Sequence, residues 1–136
     1  MRSSALVVAF LLGAIGSAYA GAPPQSDFVL HCAGCHRFDA SGSATVPALD
    51  DLDRVLAAPG GRAYLLRVPG VAQAPLSDAR LAALLNWVVA EFNARPPRPA
   101  FSEAEVRRGR QAPLRDPVAA RERVLAAMHG DVDRGE

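Results

Sequence analysis

Lysine is absent from this chain, and all 15 of its basic residues are arginine. Methionine occurs only as Met1 and Met128, and cysteine only as Cys32 and Cys35. No segment of useful length alternates apolar and polar residues, so nothing predicts a strand, and the chain reads as all-α. The apolar run from Ala5 to Ile15 is short for a membrane span. Charge of either sign is not in excess. Beyond the first twenty residues, 14 basic side chains face 14 acidic ones, which gives no reason to expect a nucleic-acid partner.

The apolar run has a better explanation than a span. Arg2 precedes it, and Ala18-Tyr19-Ala20 forms a small-residue cleavage site before Gly21. That order predicts a secretory signal peptide over 1–20, with a retained N-terminal anchor as the alternative. Cleavage leaves 136 − 20 = 116 residues, enough for one small domain with an appendage. Five arginines face seven acidic residues over 21–94, and nine face seven over 95–136. Arg95, Arg98, Arg107, Arg108 and Arg110 surround a Pro-rich stretch, and read either as a partner-facing element or as solvated surface.

Helix signals organise the rest. Ser26 is expected as N-cap of a helix carrying Phe28, Val29 and Leu30 towards the cysteines. Residues 40–46 read as loop. A short helix from Asp50 or Asp51 to Ala57 is stopped by Pro59-Gly60-Gly61, and a second over Arg62–Arg67 is closed by Pro69-Gly70. The strongest periodicity follows Ser77, where Leu81, Leu84, Leu85, Val88 and Phe92 recur at spacings of three and four. Arg95-Pro96-Pro97-Arg98-Pro99 cannot continue that helix. Ser102 and Glu105 have capping-box spacing for a helix to about Arg110, and Asp116-Pro117 opens a last helix with Val118, Val124, Leu125 and Met128 on one face. The expected organisation is a signal peptide (1–20), a helical domain (21–94), and a Pro-rich linker with a helical extension (95–136).

Two cysteines in an exported chain ordinarily suggest a disulfide. Here they stand three apart and His36 follows at once. Two thiols on one helical turn can form thioethers with two vinyl groups on one porphyrin edge, while the neighbouring imidazole sits beneath the iron. A thioredoxin-like pair would need a βαβ context, and a zinc site would need further ligands, for which only His31 and His129 remain. Cys32, Cys35 and His36 therefore point to one covalent haem c, with His36 as an axial iron ligand.

At these residues the chain resembles the small single-haem c-type cytochromes of the mitochondrial and bacterial type, with an atypical C-terminal extension. The resemblance covers roughly Ser26 to Phe92. It rests on Cys32-Ala33-Gly34-Cys35-His36, on Val46-Pro47-Ala48-Leu49 and on the Leu-rich helix containing Trp87. It implies a helical domain wrapped around the haem, Phe28 near Trp87, and a hydrogen bond from the His36 Nδ1–H to the Pro47 carbonyl. Such a contact orients a ligating imidazole and raises its basicity. The family usually supplies a methionine as sixth ligand just before the last core helix. Here that stretch is Val71-Ala72-Gln73-Ala74-Pro75-Leu76, with Ala74 at the methionine's place.

With lysine absent, Met128, His129, His31, Tyr64 and Gln73 are the side-chain candidates for the sixth position, and water or a vacancy is the alternative. Met128 could be presented by the folded-back extension, or could complete an apolar stripe with Val124 and Leu125. His31, beside Cys32, is expected to be poorly placed for the distal face. The resemblance implies a periplasmic electron carrier working with a dehydrogenase or oxidase, without a membrane span after signal cleavage. A five-coordinate haem protein that binds a small ligand or reacts with peroxide is the other reading.

Overall fold

The computed structural model describes residues 22–97 and 99–130, so the signal-peptide expectation and Arg98 lie outside the described residues. Among them the regular structure is all helical, without a strand. None of their helices is long and apolar enough to cross a membrane. The helices are α1 (Pro24–His31), α2 (Ala33–His36), α3 (Leu52–Ala57), α4 (Gly61–Arg67), α5 (Pro69–Ala72), α6 (Asp78–Phe92), α7 (Glu103–Gly109) and α8 (Pro117–Gly130).

The long helix α6 is the spine. Ser77 caps it, its hydroxyl accepting from the Arg80 amide at 3.3 Å, as the sequence predicts. Leu81, Leu84, Leu85, Val88 and Val89 form its buried face. Helix α1 packs against it, with the Phe28 ring 5.6 Å from Trp87 and 5.1 Å from Phe92. Trp87 and Phe92 meet edge-on at 81°, so the three rings close one end of the core in favourable tilted contacts.

Two helix starts differ from expectation, both because of proline. Helix α1 begins at Pro24 with no side-chain cap, and Ser26 lies inside the first turn rather than capping it. Proline needs no partner for an absent N–H and is preset for the first helical position. Pro69-Gly70 was expected to close α4, yet Pro69 opens a further turn, α5, by the same device.

The residues beyond the Pro-rich stretch belong to the same core. Phe101 and Val106 are buried in the cluster built on α6, and Pro97 is itself buried. The Asn86 side chain bonds both backbone groups of Phe101, accepting from its amide at 2.8 Å and donating to its carbonyl at 3.0 Å. Arg62 grips Glu105 with two bonds of 2.8 and 2.7 Å, donates to the Pro99 carbonyl, and stacks 4.0 Å over the Phe101 ring. That guanidinium also holds the Glu105 carboxyl below its ordinary range. Helix α7 passes so close to α4 that a Cβ at Gly109 would lie 2.6 Å from Leu66. Helix α8 lies on α4, with Arg121 reaching Asp51 at 2.5 Å.

This packing occupies part of the basic tail that sequence reads either as partner-facing or as solvated surface. Arg107 pairs with Glu103 and Asp78, and Arg110 turns inward. Of the described arginines named for that role, Arg95, Arg107 and Arg108 are exposed and Arg110 is not.

Candidate functional site

Helices α1 and α2 form one interrupted helical path through the cysteine pair. Cys32 is the hinge, its amide bonded to the Phe28 carbonyl and its own carbonyl accepting from Cys35 and His36. This puts Cys32, Cys35 and His36 on one turn. Both thiols are free; Cys32 packs against the core and Cys35 is exposed. Burial, followed by the charge of Asp27 and the proximity of Cys35, pushes the Cys32 thiol up to about 11. A thiol raised in this way is a poor free nucleophile, unlike the low-pKa thiolate of an isolated redox pair. Among the described residues no three His, Cys, Asp or Glu side chains gather as a metal-ion cluster.

The imidazole of His36 is tethered. Its Nδ1 lies 2.9 Å from the Pro47 carbonyl oxygen, so the Nδ1–H donates there and Nε2 keeps its lone pair. Three features place that carbonyl. The Leu49 amide bonds the Ala40 carbonyl at 2.9 Å, and the Gly42 amide bonds the His36 carbonyl at 3.0 Å. Ser43 then closes the turn, its amide donating to Val46 O and its hydroxyl accepting from Val46 N at 3.1 Å. In the sequence residues 40–46 read only as loop; the glycine followed by a turn-forming serine is the signal of this turn.

The chain leaves the site under strain. Arg37, next after His36, has φ 64 and ψ 166, a region favoured by glycine. Glycine would gain unfolded-chain entropy, but the relieved strain is larger. Arg37→Gly should therefore stabilise the folded chain by about 1 kcal/mol, as measured by urea denaturation. An equal or lower midpoint would remove strain as a feature of this turn.

The sixth-ligand candidates are distributed unevenly. His31, at the end of α1, lines an open groove of about 360 Å³ together with Leu30, Pro69, Gly70, Gln73, Ala74 and Pro75. His31 thus shares a groove with the loop in which the resembled family places its methionine. Ala74 is itself buried in the core cluster, and Gln73 is exposed. Tyr64 is partly buried, and burial raises its phenol above the ordinary value, with Asp51 raising and Arg121 lowering it. Met128 lies half-buried on α8, and the His129 side chain lies outside the described residues.

No protein-family model, no curated protein and no solved structure matches this chain. Its site is read from its own residues.

Proposed function

We propose that this chain is an exported c-type cytochrome, carrying one haem through thioethers at Cys32 and Cys35 with His36 as axial ligand. The observation that carries the reading is the tethered imidazole: His36 is fixed by the Pro47 carbonyl at 2.9 Å, one residue after a pair of free thiols on the same turn. The donor set fits the group. An imidazole with its Nδ1–H committed offers Nε2 to a metal, and thiols three positions apart on one turn suit attachment to one porphyrin edge.

When bound, the haem supplies one-electron chemistry. The chain's own residues hold and tune it. Cys32 and Cys35 fix its edge, His36 takes the proximal position, and the Pro47 carbonyl keeps that imidazole electron-rich. Electron transfer between periplasmic redox partners is the proposed role. The alternative, a five-coordinate haem protein open to a small ligand, draws on one observation. Ala74 stands in the core where the family would place a methionine, so this loop brings no sulfur ligand to the site.

Denaturing acid extraction of the chain exported from a cell with haem-attachment machinery tests the proposal. The haem spectrum should stay with the polypeptide, and Cys32→Ser with Cys35→Ser should abolish that retention. Free release of haem from the unsubstituted chain would refute the assignment.

A further inference from the structure

The most heavily bonded side chain in the described structure is one that sequence analysis placed on the surface. Arg110, at the end of α7, reaches back 34–38 residues to the segment joining α5 and α6. Its Nε donates to the Ala72 carbonyl at 3.0 Å, Nη2 to Ala74 at 2.5 Å and Nη1 to Leu76 at 2.9 Å. Nη1 also meets the Asp78 carboxylate at 3.2 Å, while the other Asp78 oxygen takes Arg107 at 3.2 Å. One guanidinium therefore binds three alternate carbonyls of a five-residue loop, and a carboxylate holds the guanidinium in place. Only the five-donor fork of arginine spans such a set; an ammonium group, as a compact point donor, does not. The Arg110 side chain is 15% exposed, so these bonds are shielded from water.

We infer that Arg110 is the positioning residue of the 72–76 loop, anchoring from the C-terminal extension a segment that the resembling family ties down through an iron–methionine bond. The loop is then ordered by the protein alone. Ala74 is held inward, and the loop's shape does not depend on which ligand, if any, occupies the iron. Calling this loop distal rests on the haem reading above; the anchoring itself does not.

Amide hydrogen exchange on the purified full chain separates the two. In Arg110→Gln the amides of Ala72, Gln73, Ala74 and Leu76 should exchange roughly tenfold faster or more, since charged hydrogen bonds are lost at each carbonyl. Those of α1 should be unchanged. Arg110→Lys, which keeps the charge, should resemble Arg110→Gln, and Arg108→Gln, at an exposed position, should resemble the parent. In the haem-loaded protein, imidazole should bind the iron several-fold faster in both Arg110 variants. Unaltered loop exchange in a folded Arg110→Gln would overturn the inference. If that variant fails to fold, exchange of the parent protein in sub-denaturing urea decides. Loop amides opening together with Val106 and Arg110 of the α7 end support anchoring, and loop amides opening independently overturn it. Absence of covalent haem would remove the imidazole measurement and the haem reading, and leave the exchange result standing.

Discussion

Gly42→Ala should destabilise the chain by more than about 2 kcal/mol and, in the haem-loaded protein, raise the reduction potential. The two effects share one cause. Gly42 has φ +69, where a Cβ alone costs about 1–2 kcal/mol. The added Cβ would also stand 2.3 Å from the Val46 carbonyl oxygen and 2.8 Å from both the Pro47 carbonyl carbon and the Ala48 nitrogen. All three atoms are backbone, so no side chain can swing aside. The turn must open, and the carbonyl it displaces is the acceptor for His36. An imidazole without that acceptor is a weaker electron donor, so it stabilises oxidised iron less. Urea denaturation and potentiometry read the two consequences separately. An unchanged potential in a destabilised variant would show that Pro47 orients His36 without tuning it.

Arg80→Ala should destabilise the chain by about 3 kcal/mol, and Asp27→Ala by clearly less. The asymmetry follows from burial. Asp27 is 2% exposed in the pair and Arg80 is 42% exposed. The carboxylate receives Nη2 at 2.5 Å and Nε at 3.3 Å, linking α1 to α6 beside the aromatic cluster. Removing the arginine strands a charge inside the protein; removing the aspartate leaves a guanidinium that water already reaches. The double variant should therefore recover part of the loss caused by Arg80→Ala alone. Thermal unfolding of the three variants checks this, and equal costs for the two single changes would contradict it.

Much of the helical framework was legible because its signals are local. Ser77, Ser102 and Asp116 each cap the helix they precede, bonding the amides of Arg80, Glu105 and Ala119. The apolar spacing of α6 marked its buried face for the same reason: a period of 3.6 is written into adjacent residues. Proline was ambiguous where it could either stop one helix or start the next, at Pro24 and Pro69. Arginine was the least legible residue. The partners of Arg62, Arg80, Arg110 and Arg121 lie between 32 and 70 positions away, and many are backbone carbonyls, which leave no trace in a sequence. The tether from His36 to Pro47 was expected only through the family resemblance, since an eleven-residue separation carries no periodic signal.

The attachment of the extension has a further consequence for the chain's construction. Asn86 and Arg62 grip residues on its side of the Pro-rich stretch, and Arg110 reaches from it back to the 72–76 loop. Such contacts form an interface of the kind found between separate polypeptides, complete with apolar centre and charged rim. The peptide through Pro96 and Pro97 also keeps the two parts at high effective concentration. The protein is in this sense a heterodimer written as one chain. A tightening or loosening of that internal interface would be transmitted directly to the loop that Arg110 holds.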